Sequence, residues 1–339
     1  MNCFNYFIGI DVSKATLDVA LVKDGKQVFY EKLDNKPQAI KQLLKRLLKQ
    51  CGDLSQILFC MECTGVYNNH LLQILGDEQL AVWMESAIQI KRSMGIQRGK
   101  NDKADSQKIA LYAFKNRYDI KLWEPSREQL QKLKQLMNIR TRLIRTKSNL
   151  KKPLLELSFH SPLEQKIFKN SYKATLKAID KDIIKVDAEI NKTIQEDQLL
   201  RRLMDVVTSV KGIGRVTAVQ VIVTTNEFKS ITEAKKFACY AGVAPFEHSS
   251  GTSVRGRTRV SKMADVSMKC NLHMAALASI RGAGDLQDYF LRKIEEGKNK
   301  MSVLNAIRNK LIHRIFACVR EDRFYSPKVA ELKTDLILV

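Results

Sequence analysis

Three short segments of strand character open the chain, and they constrain the fold more than any other feature of the sequence. Residues 6–11 form an almost continuous apolar run, which is typical of a buried strand. Residues 17–22 alternate between the two faces of a strand, and Asp24-Gly25 after them is a turn signal. Residues 27–33 supply a third segment. The sequence therefore predicts a sheet that begins with three consecutive strands.

The next fifty residues alternate between helical and strand patterns. A helix is predicted at 37–50, where apolar residues recur at helical spacing. A strand is predicted at 57–62, a helix at 66–75 and another strand at 81–84. Three strands followed by alternating helices and strands predict a mixed sheet with helices packed on it. This order of elements is that of an α/β RNase H-like fold.

Beyond about residue 126 the sequence becomes helical. Residues 126–158 contain no aromatic residue and no glycine, and apolar residues recur there at helical spacing. Pro153 and Pro162 mark a bend, and residues 176–194 carry a second apolar stripe. Two long helices around a turn predict an α-helical coiled-coil arm for dimerisation or nucleic-acid contact. An ordinary helical linker domain is the alternative.

The last third begins with Gly212-Ile213-Gly214 between two short apolar helices, the pattern of a helix-hairpin-helix. Its glycines would let backbone N–H groups approach a phosphate, although a plain turn has the same pattern. We therefore predict four parts: an RNase H-like domain at 1–122, a coiled-coil arm at 123–205, a mainly α-helical domain with the helix-hairpin-helix at 206–325, and a tail at 326–339.

The charge of the chain indicates its partner. There are 58 lysines and arginines against 36 acidic residues, a net charge of +22. Residues 91–152 hold 18 basic and 5 acidic residues, so more than half of the excess lies there. Such a charge favours nucleic acid as a partner over a merely solvated helix face. The candidate nucleic-acid contacts are Lys100, Lys103, Arg140, Arg142, Arg145, Lys211, Gly212, Gly214, Arg255, Arg257, Arg259 and Lys262.

Composition excludes several classes of protein. No apolar run reaches the roughly 18 residues that a membrane span needs. A hydrophobic content of 45% with 28% charged residues excludes a wholly disordered chain. The first residues lack a secretory signal pattern and the seven cysteines are scattered, so we expect a cytoplasmic protein with no membrane partner.

Four acidic residues fall where side chains converge in such a fold. Asp11 closes the first strand and Glu62 closes the fourth, and these strands lie side by side in an RNase H-like sheet. Asp102 and Asp105 are three residues apart at the start of a helix and therefore share one face. Four carboxylates suit Mg²⁺ and phosphoryl transfer. Taken singly, each has a structural alternative: a helix cap, a helix-dipole partner, a turn residue or a solvated side chain.

A serine pair lies next to a basic run. Ser249-Ser250-Gly251 precedes Arg255, Arg257, Arg259 and Lys262. A hydroxyl beside a glycine, among arginines that hold phosphate, is what a nucleophile attacking a DNA phosphate needs. A flexible, solvated loop has the same composition.

Five motifs, in order over about residues 6–280, resemble those of the DEDD-type transposases of bacterial insertion sequences, which include pilin-gene invertases and bridge-RNA-guided recombinases. They are Gly9-Ile10-Asp11-Val12-Ser13-Lys14, Glu62-Cys63-Thr64-Gly65, Lys100-Asn101-Asp102-Lys103-Ala104-Asp105, Gly212-Ile213-Gly214, and Tyr240-Ala241-Gly242-Val243-Ala244-Pro245 through Ser249-Ser250-Gly251. The family pattern Ser/Thr-Lys-x-Gly-Asp reads Ser261-Lys262-Met263-Ala264-Asp265 here, with alanine in place of glycine.

The resemblance implies a RuvC-like N-terminal domain with a catalytic, Mg²⁺-binding tetrad of Asp11, Glu62, Asp102 and Asp105. It implies that Ser250, the serine before glycine, joins transiently to a DNA 5′ phosphate. It also implies a homodimer that assembles into a tetramer, donor and target DNA as partners, and a structured non-coding guide RNA. Such a protein would associate with the nucleoid when bound to DNA.

Three functions remain open from the sequence. The leading hypothesis is a site-specific DNA recombinase or transposase. A RuvC-like junction nuclease would use water instead of serine, and a non-catalytic nucleic-acid-binding protein would cut nothing. Sequence chemistry alone does not separate Ser250 from Ser249, nor guidance by RNA from direct reading of DNA.

Overall fold

The computed structural model describes residues 4–93, 101–250, 254–260 and 263–326, with backbone alone for 247–250 and 254–259. The chain divides into two compact units, Met1–Pro125 and Ser126–Val339. Each unit has its own hydrophobic core. The finer division at residues 122, 205 and 325 stays a prediction.

The first unit is built on a five-stranded mixed sheet in the order β3-β2-β1-β4-β5. β1 runs antiparallel to β2 and parallel to β4, β2 and β3 are antiparallel, and β4 and β5 are parallel. The apolar side chains of β1 alternate between two cores, which requires cover on both faces of the sheet. The strands are β1 (Tyr6–Val12), β2 (Thr16–Lys23), β3 (Lys26–Asp34), β4 (Ile57–Glu62) and β5 (Ala81–Glu85).

Helices supply that cover. One face packs against the apolar stripes of α1 and α2, and the opposite face packs against α3 and α4. The helices are α1 (Pro37–Cys51), α2 (Asn69–Asp77), α3 (Ala87–Ser93) and α4 (Asp102–Lys115). The predicted mixed sheet with packed helices, in the predicted order of elements, is confirmed.

One boundary differs from the sequence prediction. The helix expected at 66–75 starts as a 3₁₀ turn, Gly65–Asn68, and becomes α-helical only at Asn69. The buried side-chain amide of Asn68 donates to the backbone oxygen of Glu62 at 2.7 Å. This bond joins the 3₁₀ turn to the end of β4.

Gly9 allows α4 to approach the sheet closely. A Cβ atom on Gly9 would lie 2.2 Å from both the backbone nitrogen of Ala110 and the backbone oxygen of Ser106. Only glycine fits where two backbones meet this closely. The first turns of α4 are therefore held against β1, and that contact sets the height of Asp105 above the sheet.

The second unit begins with two long antiparallel helices, α5 (Glu128–Leu155) and α6 (Pro162–Glu196). Ion pairs join them in antiparallel order: Lys132 with Glu189 and Arg140 with Asp187, each at 2.6 Å, and Lys147 with Asp180. Ser161 and Glu164 form a capping box that starts α6. A long helical hairpin is therefore present, while its winding as a coiled coil stays a prediction.

The rest of this unit is largely helical, as predicted, and packs around the buried face of α12. The exception is a β-hairpin, which the sequence analysis did not predict. The elements are α7 (Gln198–Thr208), α8 (Arg215–Thr224), α9 (Ala234–Tyr240), β6 (Pro245–Ser250), β7 (Val254–Val260), α10 (Val266–Ser279), α11 (Asp285–Glu295) and α12 (Lys300–Arg320). Within the described ranges, no helix combines the length and apolar character of a membrane span.

Candidate active site

Asp11 and Glu62 lie at the same edge of the first unit's sheet. The parallel pairing of β1 with β4 runs to Ile10 opposite Met61. Asp11 and Glu62 are the next residue on each strand, and both are partly buried. Adjacent positions of paired strands point to the same face, so the two carboxylates are neighbours.

The first turn of α4 contributes Asp102 and Asp105. Asn101 caps the helix by accepting from the backbone nitrogen of Lys103 at 3.1 Å, so Asp102 is the first helical residue rather than the cap. Burial raises the pKa of Glu62, and the charges of Asp11 and Asp105 raise it further. Two of the four predicted acidic residues, Asp11 and Asp105, therefore act on the carboxyl group of a third, Glu62.

Lysines pair with both acidic residues of α4. The Lys108 ammonium lies 2.6 Å from a carboxylate oxygen of Asp105. The Lys32 ammonium lies 3.8 Å from Asp102 and 3.4 Å from Asp18. The Lys32 ammonium therefore links Asp102 to Asp18, on the β2 side of the sheet. Asp102 is not among the charges that raise the pKa of Glu62.

Two further carboxyl groups extend the pair into a row. Asp18 lies opposite Asp11 on β2, and Glu85 lies opposite Glu62 on β5. Asp18, which is 3% exposed, accepts from the Tyr30 hydroxyl at 2.6 Å. Glu85 accepts from the Tyr112 hydroxyl at 3.1 Å. Four acidic side chains therefore cross one face of the sheet, the outer two held by tyrosines.

The pKa of each tyrosine is raised, in part by its carboxylate partner. The hydrogen bond to Asp18, helped by burial, raises the pKa of Tyr30 to about 12. Burial first, and then the charge of Glu85, raises the pKa of Tyr112. Both hydroxyls consequently stay protonated at neutral pH and act as donors that fix the outer carboxylates.

Sequence reasoning missed Asp18 and Glu85. Asp18 was hidden in an alternating strand, where a polar residue is expected to face water. Glu85 ends β5 as Glu62 ends β4, so the strand-end rule that found Glu62 could have found it.

The donor set fits a divalent cation. Carboxylate oxygens are the ligands that Mg²⁺ and related ions prefer. Within the described part of the chain, however, no three acidic, histidine or cysteine side chains are already close enough to hold one ion. Asp11, Glu62 and Asp105 are the residues that a cation would draw together, because their mutual repulsion at Glu62 would be relieved.

Glu62→Gln is expected to stabilise the metal-free first unit at about pH 8. A carboxyl with a raised pKa in the folded state costs stability when it ionises, so the cost grows as pH rises through that pKa. The gain from glutamine should therefore shrink towards about pH 4, where wild-type Glu62 is protonated. The chain's two tryptophans, Trp83 and Trp123, both lie in this unit, so thermal unfolding followed by tryptophan fluorescence measures it.

Asp34→Asn on the exposed end of β3 is the control for this pH series. It removes a carboxylate from the same unit without entering the acidic row. A stability gain for Glu62→Gln that is equal at both pH values would contradict the assignment.

The serine pair lies on a β-hairpin. β6 and β7 are antiparallel, with Ser249 opposite Arg255 and Ser250 opposite Val254. Ser250 is the last residue of β6. The side chains of both serines and of Arg255, Arg257 and Arg259, together with Lys262, lie outside the described parts, so their roles stay predictions.

Asp265 fixes the base of this hairpin. Its backbone nitrogen donates to the backbone oxygen of Tyr240 at 2.9 Å, and its carboxylate accepts from the Tyr240 hydroxyl at 3.1 Å. The same carboxylate caps α10 by accepting from the Met268 nitrogen at 2.6 Å. Burial, and then Asp265, raises the pKa of Tyr240 to about 12. Ala264 is not among the described residues with positive φ, so this turn needs no glycine.

The predicted nucleic-acid contacts of the first unit and the arm have different environments. Lys100 lies outside the described residues. The Lys103 ammonium lies 4.9 Å from the centre of the Tyr30 ring, and Arg140 pairs with Asp187. Arg142 and Arg145 are exposed on α5. Lys103 is exposed as well, whereas Arg140 is half-buried.

Lys211 and Gly212 make packing contacts that the sequence did not predict. The Lys211 ammonium donates to the backbone oxygens of Gly282 at 2.9 Å and Ala283 at 2.5 Å. A Cβ on Gly212 would lie 2.6 Å from the backbone oxygen of Ala275. Gly214, the N-cap of α8, has open space where a Cβ would be. Phosphate contact at this turn stays a prediction, and Gly214 offers the accessible backbone for it.

Family models match both units. One described as a transposase, DEDD_Tnp_IS110, matches residues 8–157. A second, described as Transposase IS116/IS110/IS902 family, matches residues 204–291. The first match contains Asp11, Glu62, Asp102 and Asp105, and the second contains the serine hairpin.

Known proteins with similar sequences carry related names. The pilin gene-inverting proteins of Moraxella bovis and Moraxella lacunata are each 24% identical to this chain over 329 residues, which is 96% of this chain and 99% of each relative. The insertion element IS110 uncharacterized 43.6 kDa protein of Streptomyces coelicolor is 28% identical over 159 residues, 47% of this chain and 38% of the relative. Among solved structures, T. thermophilus RuvC in complex with Holliday junction substrate matches with 16% identity and a TM-score of 0.27, over 35% of this chain and 99% of that chain.

Proposed function

The chain belongs to the IS110 family of insertion-sequence transposases, enzymes that cut DNA, and we propose that it is a site-specific recombinase using both a serine and an acidic cation site. The observation that carries the proposal is the convergence of Asp11 and Asp105 on Glu62. Bringing carboxylates together lowers the stability of the fold because their charges repel. Such an arrangement is typical of a site that binds a divalent cation for phosphoryl transfer.

In the proposed reaction, the Ser250 hydroxyl oxygen attacks a DNA phosphorus atom. A serine–phosphate bond forms at the 5′ end as the bond to the 3′ oxygen breaks. The serine loses one proton and the departing 3′ oxygen gains one, so the step is balanced. Rejoining reverses these steps with a different 3′ hydroxyl, which releases the serine and conserves the phosphodiester energy.

Asp11, Glu62 and Asp105 would hold the divalent cation, with Asp102 completing the set. A bound Mg²⁺ supplies charge that stabilises the attacking and leaving oxygens. The tyrosine-held Asp18 and Glu85 flank this group on the neighbouring strands. Lys32 and Lys108 balance the charge of Asp102 and Asp105 before a cation binds.

The proposed partners are donor and target DNA and a structured non-coding guide RNA. The net charge of +22 supports polyanionic partners of either kind. We further propose a homodimer that pairs into a tetramer, acting in the cytoplasm on nucleoid DNA. The pilin gene-inverting relatives support recombination at defined sites, since their names describe DNA inversion.

Trapping a protein–DNA adduct tests the serine step. The protein is incubated with its native flanking DNA and a divalent cation, and the reaction is stopped in denaturant. We expect a covalent adduct with wild type and with Ser249→Ala, and none with Ser250→Ala. Ser249→Ala is the matched control, because it removes a hydroxyl from the adjacent position of β6.

Other outcomes would redirect the assignment. Cleavage without an adduct in any sample would favour a nuclease that uses water. An adduct lost only in Ser249→Ala would move the nucleophile by one residue. Binding of DNA without any cleavage, with guide RNA supplied, would contradict the recombinase proposal.

A further inference from the structure

A buried arginine in the second unit has no anionic partner among the side chains that the structure describes. Arg308 of α12 is 5% exposed, and no carboxylate within the described ranges pairs with it. Its Nη2 donates to Nδ1 of His273 at 2.7 Å and its Nη1 to the side-chain oxygen of Asn305 at 3.3 Å, while Nε has no partner. Burial lowers the pKa of Arg308, but a guanidinium stays charged in proteins. Among the described side chains, this buried positive charge therefore has neutral hydrogen-bond acceptors but no anion beside it.

Arg308 also fixes the protonation of His273. A guanidinium can only donate, so Nδ1 of His273 accepts and the imidazole proton lies on Nε2. Burial, and then the charge of Arg308, lowers the pKa of His273. The ring is consequently neutral at neutral pH. The half-buried histidine thus offers one N–H donor backed by a buried positive charge.

This pair lies beside the start of the serine hairpin. The Asn305 amide, which accepts from Arg308, donates to the backbone oxygen of Val243 at 2.9 Å. β6 begins two residues later, at Pro245. The cluster therefore connects α10 and α12 to the strand that carries Ser250.

We propose that His273 and Arg308 bind one phosphodiester of DNA at the base of this hairpin. Burying an unpaired charge costs folding free energy, and arriving phosphate supplies the missing negative charge. The His273 Nε2–H matches a phosphate oxygen, and the buried guanidinium supplies the positive charge behind it. His273 contacts the phosphate, and Arg308 positions and polarises His273 from beneath. The inference rests on the proposed function, from which it takes DNA as the source of the phosphate.

The test compares duplex-DNA binding across a salt series for wild type, Arg308→Met and Arg320→Met. Arg308→Met removes the positive charge that neutralises this phosphate, which should reduce the slope of log K against log salt by about 0.9. Its affinity should fall on the order of tenfold, as expected for one charge-assisted contact. Arg320→Met is the matched control, since Arg320 is on the same helix but 78% exposed and paired with Glu321. It should bind nearly as wild type does.

Two further measurements separate binding from folding. The thermal midpoint of Arg308→Met, followed by helical circular dichroism, should not fall, because the variant removes an unpaired buried charge. His273→Ala, which keeps the arginine, should weaken DNA binding by a similar factor. An unchanged salt slope with a midpoint several degrees lower would overturn the proposal and make Arg308 a purely structural residue. A changed slope with duplex RNA alone would overturn the assignment to DNA.

Failure of this inference is distinguishable from failure of the proposed function. Equal DNA binding by wild type and every variant would refute the phosphate site alone. The serine–DNA adduct is measured separately and does not depend on that result.

Discussion

Gly9→Ala should unfold the first unit about 10 °C below wild type, a loss of about 3 kcal/mol of stability. The added methyl would lie 2.2 Å from two backbone atoms of α4, at Ala110 and Ser106. Backbone atoms cannot rotate away as a flexible side chain can, so α4 must lift from the sheet. Tryptophan fluorescence during thermal unfolding measures the effect, since both tryptophans are in this unit.

Gly76→Ala is the matched control for this prediction. It makes the same chemical change in the same unit, on α2, where the added methyl would meet only the Trp123 ring at 3.7 Å. That is an ordinary contact, and alanine is the better helix former by up to about 1 kcal/mol. Its midpoint should be unchanged or higher. Equal effects of the two substitutions would contradict the close approach of α4 to β1.

Gly9 also affects the position of the acidic residues on α4. Lifting α4 would move Asp105 away from Glu62, since both acidic residues of α4 lie in its first turn. We therefore expect the pKa of Glu62 to be raised less in the folded variant than in wild type. Close packing at Gly9 therefore helps to place the acidic residues of α4 beside those of the sheet, at the candidate cation site.

The sequence predicted the first unit well because its signals are local. Apolar runs and turn residues located the strands within about two residues, and the ends of β1 and β4 located Asp11 and Glu62. It could not reveal that Lys32 reaches Asp102, or that Tyr30 holds Asp18, because these contacts depend on register across the sheet. The 2.2 Å approach at Gly9 is likewise invisible before α4 is placed.

The second unit was predicted less completely, for two physical reasons. Residues 254–260 alternate arginine with small or β-branched residues, a period typical of a strand. The sequence analysis interpreted these arginines as phosphate contacts and predicted no strand there. Lys211 looked available for phosphate, yet its ammonium donates to carbonyl groups some 70 residues later in the chain. Such long-range partners give no local signal.

Asp11→Asn should reduce DNA cleavage on the order of 10³-fold while leaving DNA binding nearly unchanged. Asp11 lies between Asp18 and Glu62 in the acidic row, so the amide removes charge from its centre. A cation that binds only the folded protein raises its thermal midpoint, and this Mg²⁺-dependent rise should disappear in the variant. Cleavage of flanking DNA and tryptophan-detected unfolding with and without Mg²⁺ measure both effects.

Asp34→Asn, at the exposed end of β3, is the control because it removes a carboxylate outside the row. It should keep both cleavage and the Mg²⁺-dependent rise. Asp11→Asn protein that cleaves at more than about a tenth of the wild-type rate would refute the acidic site as the cation site, since one lost ligand costs far more than tenfold. Loss of cleavage with the Mg²⁺ response intact would place the cation elsewhere and leave Asp11 a role in orienting Glu62.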